Sequence, residues 1–470
     1  MLVLEAVDHI GGALGHAETT LPGFRHDVGA GFVAFRDSAA FQALDLGRHG
    51  LRWALGELES AHPAPDGTCP AIGRDRVASS ATFGEDAAAW EQLVRDHAPV
   101  DQALLGFLGT LPPIGPALQL VRPAGLRLAA MALSSPGGFS RRTFATEAAR
   151  RVLPGMGMHV DVGPEDRVGA AIGYMLSLRA AMNGFAVPVG GAGAVPAALA
   201  AELAAHGGRI QLDSRVVRIL VSDRRAVGVV LADGTEIRAR GVLADVSAPA
   251  MYLDLLGEAH IPGWAARFFR RYPMGWGTFK LDFALSEAVP WSAEPARRAA
   301  VVHAGDDLLD LTRFVDQVRR GELPDHPYLV VGQQSLVDPS RAPEGQHTLY
   351  VYTRVPARPD RPWSELRESY ADCIERRIEE LAPGFRSRIR GRAIQTPDDL
   401  FAMDANLVDG DLGGGSNQWW RQAFFRPLFP WFRYRTPVAG AWLGSMYTHP
   451  GTGIHGMCGW NAAGVALRDL

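Results

Sequence analysis

The segment Gly451-Thr-Gly-Ile-His-Gly-Met-Cys-Gly-Trp-Asn461 lies between a strand-like run at residues 438–443 and a helical pattern that begins near Asn461. The amino terminus of a helix presents unpaired amides and the positive end of the helix dipole, which stabilise negative charge on a bound group. The small residues would let a flat ring approach the main chain. The segment therefore predicts a strand–loop–helix unit that binds such a ring. A glycine-rich turn without a ligand is the alternative.

An acidic residue follows an apolar run at the beginning of the sequence. Residues 1–4 are apolar and lead into Glu5, and Gly11-Gly12 follow in a turn-rich segment. In dinucleotide-binding folds the second parallel strand ends in Asp or Glu, whose carboxylate accepts hydrogen bonds from ribose hydroxyls. Glu5 is placed for that role. The alternative is a solvated glutamate that caps a strand.

Two other glycine-rich segments lie far from these in the sequence. Residues 21–35 contain Gly23-Phe-Arg-His-Asp-Val-Gly-Ala-Gly31 and alternate poorly, so we expect their main chain to approach a bulky group. Val187-Pro-Val-Gly-Gly-Ala-Gly193 opens an alanine- and leucine-rich helix at residues 195–206, with Gly207-Gly208 as its stop signal.

The rest of the sequence alternates between helical and strand patterns. We predict a hairpin at residues 52–75 around Asp66-Gly67, and a mainly helical region at 86–184 with helices at 87–97 and 142–153. Further strands are predicted at 209–213, 216–222, 226–231, 236–246 and 275–285, and a further helix at 365–381.

Size and charge restrict the class of protein. A chain of 470 residues with 47% hydrophobic residues can bury a large core and is expected to form two or more domains. A formal net charge of −4 gives no basic surface, so nucleic acid is not expected as a partner. Cys69, Cys373 and Cys458 match neither a metal-ligand spacing nor a disulfide framework, which fits a reducing cytoplasm and no metal site.

No membrane-spanning segment is expected, because every run of about 18 apolar residues is interrupted by a charge or a proline. Residues 103–133 are apolar but contain Pro112, Pro113, Pro116 and Pro123, which favours a pocket lining or an irregular apolar surface. Such a surface would suit peripheral membrane contact. Ordinary core of a substrate-binding domain is the alternative.

Seven motifs occur in one order along the sequence. They are Val3-Leu-Glu-Ala6 with Gly11-Gly12, Leu21-Pro-Gly-Phe-Arg-His-Asp-Val-Gly29, Pro188-Val-Gly-Gly-Ala-Gly193, Val227-Gly-Val-Val-Leu-Ala-Asp-Gly234, Phe425-Arg-Pro427, Tyr434-Arg-Thr-Pro437 and Thr448-His-Pro-Gly-Thr-Gly-Ile-His-Gly456. This order resembles that of the phytoene dehydrogenase-like flavoproteins over nearly the whole chain. The resemblance implies an α/β fold with a Rossmann-like FAD-binding domain and a mixed α+β substrate domain.

The same resemblance implies a role for individual residues. Glu5 would bind the ribose, Gly11 and Gly12 would lie near the pyrophosphate, Gly29 and Ala30 would face the flavin, Val216 would meet the adenine through its backbone, and Gly453, Ile454 and His455 would lie along the isoalloxazine and ribityl. Gly444 would lie near the phosphate and ribityl groups, although Gly444-Ser445 departs from the Cys-Gly of the family. The FAD domain would comprise residues 1–60, 186–262 and 424–470, and the substrate domain 61–185 and 263–423.

Lys280 is the only lysine among 47 basic residues. It lies in Phe279-Lys-Leu-Asp-Phe-Ala284, followed by Pro290-Trp291, and this looks like the amine oxidase strand whose lysine holds a water against flavin N5. A lysine that extends from a sheet edge to solvent is the alternative. His455 and His449 are candidate proton carriers, because imidazole titrates near neutrality. Either histidine could instead brace the loop through a hydrogen bond.

A complete βαβ unit would place G-x-G-x-x-G about 20 residues before Glu5. Only four residues precede Glu5 in this sequence, and Gly11-Gly12 cannot replace the loop because they follow the acid. We expect that the true start lies upstream by roughly 30 residues. The alternative is a shortened paralogue that binds FAD poorly and serves as a binding or scaffold protein.

The expected reaction is hydride removal from a C–H bond of a small apolar substrate to flavin N5, with oxygen or a quinone as the electron acceptor. Five aromatic residues are candidates for the lining of an apolar pocket: Trp276, Trp419, Trp420, Phe424 and Phe425. A flavin amine oxidase is the enzymatic alternative, because of Lys280.

Overall fold

The computed structural model describes residues 1–120 and 123–470. Its strands are β1 Leu2–Leu4, β2 His16–Ala17, β3 His26–Asp27, β4 Trp53–Ala54, β5 Leu58–Ala61, β6 Ala71–Ile72, β7 Val187–Pro188, β8 Arg209–Gln211, β9 Val216–Ser222, β10 Arg225–Leu231, β11 Glu236–Arg238, β12 Val242–Ala244, β13 Gly277–Leu285, β14 Ala299–Ala304, β15 Leu329–Gly332, β16 His347–Val355, β17 Ile389–Gln395 and β18 Ala441–Leu443.

The α-helices of the described residues are α1 Ala39–Leu44, α2 Arg76–Ala81, α3 Ala87–His97, α4 Asp101–Gly106, α5 Ile114–Gln119, α6 Pro123–Ala132, α7 Pro136–Thr143, α8 Glu147–Arg150, α9 Val152–Gly157, α10 Ala170–Asn183, α11 Ala194–Ala205, α12 Gly263–Phe269, α13 Glu294–Arg298, α14 Leu308–Arg319, α15 Gln334–Val337, α16 Trp363–Leu381, α17 Pro397–Met403 and α18 Met457–Asp469.

The largest sheet has seven strands in the order β17-β13-β16-β15-β14-β5-β6. Neighbours are antiparallel except for β14 and β5, which run parallel. All nine residues of β13 are buried, although Thr278, Lys280 and Asp282 alternate with its apolar residues. Helix α16 covers one face, because Leu366, Tyr370, Ile374 and Ile378 recur at helical spacing and pack into the same core as β13.

Two parallel strand pairs and a meander form the other β part of the molecule. β1 pairs with β8 and β12 pairs with β18, both in parallel, whereas β9, β10 and β11 form an antiparallel sheet. Helix α11 precedes β8 and is followed by Gly207, whose φ of +73° suits glycine. The parallel pairs and flanking helices agree with the predicted α/β class. β5 starts at Leu58, within the first segment assigned to the FAD domain, but pairs with β6 and β14.

Helices α3 to α10 form the predicted helical region around a core that includes Trp90, Leu153, Tyr174 and Leu178. The single helix expected at residues 142–153 is wrong. Phe144 is extended between α7 and α8, because the Asp86 carboxylate accepts hydrogen bonds from the Ala145 and Thr146 amides at 2.7 and 2.8 Å. These amides therefore cannot continue the hydrogen-bonding pattern of α7.

Other predicted bounds also shift. The strand expected at residues 236–246 divides into β11 and β12, which belong to different sheets. The terminal helix begins at Met457 rather than near Asn461, because the Met457 amide is capped by the His455 ring at 3.0 Å.

Within residues 1–120 and 123–470, none of the helices is long and apolar enough to cross a bilayer. Residues 103–133 include most of α4 and all of α5 and α6, and Val121 and Arg122 between α5 and α6 lie outside the described residues. Ile114 and Leu118 of α5 are 64% and 67% exposed, whereas Leu128 of α6 is buried.

Candidate functional site

A cavity of about 2970 Å³ lies between the parallel strand pairs and the seven-stranded sheet with its helical cover. Every residue for which the sequence predicted a cofactor contact lines this cavity: Glu5, Gly11, Gly12, Gly29, Ala30, Val216, Gly444, Gly453, Ile454 and His455. These residues come from widely separated parts of the chain. The predicted convergence on one space is therefore observed in the fold.

The Gly29 turn forms one wall. A Cβ atom at Gly29 would lie 3.0 Å from the carbonyl carbon of Ala13 and even closer to its oxygen. The neighbouring main chain therefore requires glycine here, whether or not a ring approaches from the cavity. The Tyr350 hydroxyl, on β16, donates to the Gly29 carbonyl and ties the turn to the large sheet.

The loop before α18 forms another wall. Gly453 has a φ of +129°, which L side chains rarely adopt, so the glycine is explained by the backbone itself. The His455 carbonyl accepts a hydrogen bond from Ser38 Oγ at 2.7 Å, and its Nδ1 accepts one from the Met457 amide at 3.0 Å. Nδ1 therefore lacks a proton, and the neutral ring carries its proton on Nε2.

The His455 Nε2 atom is buried and has no hydrogen-bond partner among the described residues. Burial lowers the pKa of His455 to about 4, so the ring is neutral near pH 7. His455 thus offers an N–H donor rather than a base. His449 differs, because its Nε2 lies 2.8 Å from the Phe107 carbonyl and braces the loop.

Three carboxylates meet at another part of the cavity. Glu5 Oε1 accepts a hydrogen bond from the Val7 amide at 3.1 Å, and Asp404 Oδ2 accepts one from the Ala13 amide at 3.2 Å. Desolvation, together with the negative charges of Asp404 and Glu5, raises the pKa of Asp245 to about 6. This acidic corner suits hydroxyl groups, which donate hydrogen bonds, better than a phosphate, which repels carboxylates. Asp245 and Asp404 were not predicted.

Lys280 lies behind the cavity wall. Its Nζ donates to Asp282 Oδ2 at 2.6 Å and to Gln395 Oε1 at 3.1 Å, and lies 4.7 Å from the centre of the Tyr350 ring. Lys280 is 2% exposed, so the alternative of a lysine reaching solvent from a sheet edge is wrong. The Tyr350 ring lies between its ammonium group and the Gly29 turn.

The apolar part of the cavity is aliphatic and methionine-rich, and is formed by helices α4, α6 and α10. Its members include Leu104, Leu108, Leu128, Met131, Met175 and Leu176. This confirms that residues 103–133 contribute a pocket lining. Of the five aromatic residues expected there, only Trp419 lines the cavity. Trp420, Phe424 and Phe425 are 46%, 41% and 48% exposed, because two short 3₁₀ turns at residues 419–421 and 423–425 turn them outward.

A polar group in this wall was not predicted. Tyr350, Tyr352 and Arg354 lie on one face of β16 and line the cavity together with His159. Their period-two spacing in a buried strand was a usable signal, because a charged residue in such a strand is uncommon.

The parallel strand pairs, the helix amino terminus at Met457 and the glycine-walled cavity define a dinucleotide-binding flavoprotein architecture. The chain belongs to the family described as "Flavin containing amine oxidoreductase", whose sequence model matches residues 1–456. It is an FAD-dependent oxidoreductase.

Individual relatives agree with this assignment. The chain is 27% identical to pyridine nucleotide-disulfide oxidoreductase domain-containing protein 2 of Rattus norvegicus, over 98% of this chain and 88% of the relative. It is 31% identical to a lycopene-forming phytoene desaturase of Paracoccus sp., over 60% of this chain and 55% of the relative. The phytoene dehydrogenase-like resemblance is thereby confirmed.

Solved structures show the same fold. An oxidoreductase from Methanosarcina mazei aligns with a TM-score of 0.62 at 14% identity, covering 99% of this chain and 93% of that one. Wild-type putrescine oxidase bound to putrescine aligns with a TM-score of 0.60 at 14% identity, covering 99% and 92%. These likenesses support the α/β class.

The cavity residues fit FAD. The unpartnered His455 Nε2–H and the amino terminus of α18 can meet the electron-rich edge of a flavin, and the acidic corner can accept hydrogen bonds from ribose or ribityl hydroxyls. The residues fit FAD least well at Gly12, because the Asp404 carboxylate lies against it: an added Cβ would be 2.8 Å from Asp404 Oδ2.

Gly29→Ala should reduce both stability and FAD content, because the new methyl group collides with the Ala13 main chain. We expect a loss of about 1–3 kcal/mol in unfolding free energy, measured by denaturant titration, and a lower flavin-to-protein absorbance ratio. Gly263→Ala is the control, because a Cβ there meets nothing within 4 Å. Equal behaviour of the two variants would contradict the packing described for Gly29.

Asp404→Asn should lower the pKa of Asp245 from about 6 toward its ordinary value of 3.8, because one of the two neighbouring negative charges is removed. Glu5→Gln should lower it less, since Asp404 has the larger effect. Carboxyl ¹³C NMR titration measures this pKa directly. An unchanged Asp245 titration in Asp404→Asn would show that the acidic corner is not assembled as described.

Proposed function

We propose that the isoalloxazine ring lies between the Gly29–Ala30 turn and the Gly453–His455 loop, and that an apolar organic substrate is oxidised on the side walled by α4, α6 and α10. Bound FAD supplies a hydride acceptor at ring N5 and passes two electrons on to oxygen or a quinone. The observation that carries this proposal is the meeting of ten predicted contact residues on one cavity.

The chain's own residues have distinct tasks in this proposal. The His455 Nε2–H donates to the flavin edge that gains negative charge, with the α18 amide dipoles behind it. Glu5 accepts hydrogen bonds from ribose hydroxyls and the Val216 backbone meets the adenine. The Asp404 carboxylate beside Gly12 disfavours the pyrophosphate contact expected at that position. The aliphatic wall excludes water from the reacting C–H bond.

Lys280 acts as a positioning residue in this proposal. Its ammonium group is held by Asp282 and Gln395 and contacts the Tyr350 ring, whose hydroxyl holds the Gly29 carbonyl. It would therefore orient the turn that faces the flavin. A water held by Lys280 at N5, as in the amine oxidase alternative, would require its ammonium group to reach past Tyr350.

We further propose that residues 1–60, 186–262 and 424–470 form the FAD-binding part and that residues 61–185 and 263–423 form the substrate-binding part. The three unpaired cysteines are compatible with a reducing compartment, for which we propose the cytoplasm.

The proposed site is tested by the visible spectrum of the purified protein after incubation with FAD and gel filtration. We expect an absorbance band near roughly 450 nm that bleaches on anaerobic reduction. Glu5→Gln should raise the Kd for FAD roughly tenfold to a hundredfold, because hydrogen bonds to a charged acceptor are lost. Glu18→Gln, an exposed residue outside the cavity lining, is the control. A protein that stays colourless, or equal affinities for all three proteins, would overturn the site.

We propose that α5 contacts the membrane surface from which an apolar substrate enters. Its exposed Ile114 and Leu118 are close in sequence to Ala117, which lines the cavity. Such exposed apolar side chains can insert into the acyl boundary of a bilayer. The helix thus connects a bilayer-facing surface with the interior.

Co-flotation with phosphatidylcholine vesicles tests this contact. Wild-type protein should float with the vesicles, and the double variant Ile114→Ser/Leu118→Ser should float several-fold less. Leu309→Ser, which alters a residue of α14 that is also 67% exposed, should behave like the wild type. Equal flotation of both variants would contradict the assignment of α5.

A further inference from the structure

A buried arginine without an acidic partner lies in the cavity wall. Arg354 is 4% exposed. Its Nη1 donates to Thr278 Oγ1 at 2.6 Å, and its Nη2 donates to the His159 carbonyl, whereas Nε has no partner. None of the Asp and Glu side chains described by the structure forms an ion pair with this guanidinium.

An unpaired buried cation is costly, because neutral partners satisfy donors without neutralising the charge. The other buried arginines are held in two ways: by carboxylates or, at Arg151, Arg421 and Arg426, by backbone carbonyls. Arg341 contacts Asp27 at 2.8 Å and Asp338 at 2.9 Å, and Arg179 contacts Asp101 at 2.7 Å. The guanidinium of Arg354 instead lies 5.3 Å from the centre of the Tyr352 ring. Arg354 therefore differs from the carboxylate-paired arginines in lacking an anion, and from the other buried arginines in lining the cavity.

A hydroxyl donor lies beside Arg354. The Tyr352 hydroxyl is 2.8 Å from His159 Nδ1, and His159 Nε2 is 2.7 Å from His303 Nε2. His303 Nδ1 is 3.0 Å from Ser60 Oγ, which is 2.9 Å from His62 Nε2. Five side chains thus form one hydrogen-bonded chain that begins at the cavity and runs inward.

All three histidines of this chain are neutral near pH 7. Burial lowers the pKa of His62 and of His159 to about 3, and lowers that of His303 well below its ordinary value. A neutral imidazole donates at one nitrogen and accepts at the other. The chain can therefore point all its hydrogens toward the cavity, in which case His159 donates to the Tyr352 oxygen and the Tyr352 hydroxyl donates into the cavity.

We propose that Arg354 and Tyr352 form a subsite for a carboxylate, and that the substrate is an apolar molecule that carries one acidic group. Arg354 supplies the positive charge, the Tyr352 hydroxyl supplies a directed donor, and the aliphatic wall receives the rest of the molecule. This inference rests on the proposed function, whose substrate class it specifies.

The location of the subsite agrees with a substrate that reaches the flavin. The rings of Tyr352 and Tyr350 are 5.8 Å apart, and Tyr350 contacts the Gly29 carbonyl. The Tyr350 ring would thus separate the acidic group from the turn that faces the flavin. It would fix the direction in which the apolar part extends past the reacting position.

Three probes of one shape test the subsite: 4-phenylbutyrate, 4-phenylbutanol and butylbenzene, titrated calorimetrically into FAD-incubated protein. Arg354→Met should weaken binding of 4-phenylbutyrate at least roughly tenfold, because hydrogen bonds to a charged partner are lost. The Kd values of Arg354→Met for 4-phenylbutanol and butylbenzene should change less than about threefold. Tyr352→Phe should weaken both polar probes and spare butylbenzene. Arg240→Met, a cavity-lining arginine near β11 and β12, is the matched control.

Thermal unfolding of the same variants separates binding from structure. Arg354→Met should keep or raise the Tm, because an apolar side chain replaces an unpaired buried charge, and Arg354→Lys should retain part of the preference for the acid. An unchanged ratio of acid to alcohol affinity in Arg354→Met would overturn the subsite, whatever its Tm. Absorbance of each sample reports flavin: a colourless protein contradicts the proposed function, whereas a flavin-loaded protein without acid preference contradicts the subsite alone.

Discussion

The hydrogen bond from the Tyr350 hydroxyl to the Gly29 carbonyl joins the seven-stranded sheet to the turn that walls the cavity. A second connection runs from Arg341 through Asp27 to the amide of Ala192, just before α11. A third runs from Lys280 through Asp282 to Thr19. The first two are buried and the third ends at the half-buried Thr19, so these polar groups depend on one another for their hydrogen bonds. The width and shape of the cavity follow from this set of contacts between the two β parts of the molecule.

Charged groups of both signs line the cavity. One corner carries Glu5, Asp245 and Asp404, whereas the wall formed by β16 carries Arg354. The acidic corner complements the hydroxyl groups of a long ligand. The Arg354 wall complements the acidic group of a smaller, otherwise apolar ligand. The neutral His455 N–H lies on the Gly453 loop, where a ring that gains negative charge during reduction needs a donor.

Much of the fold could be predicted because local patterns were strong. The alternating pattern of β13, the helical spacing in α16 and the glycines around α11 all correspond to observed elements. The break at Phe144 could not be predicted, since it depends on the carboxylate of Asp86, about 60 residues away in sequence. The convergence of Glu5, Gly29 and Gly453 was inferred from family resemblance rather than from periodicity, which contains no information about distant contacts. The outward-facing aromatics near residue 424 were misjudged, because composition does not distinguish a pocket lining from an exposed turn.

The account depends on one placement: a flavin ring between the Gly29–Ala30 turn and the Gly453–His455 loop. An experimental structure of the protein prepared with FAD tests it most directly. Density for the isoalloxazine between these two segments, with His455 Nε2 within hydrogen-bonding distance of the ring, is the result we expect. Density for the ring elsewhere, or a cavity closed by side chains between Gly29 and Gly453, would contradict the account.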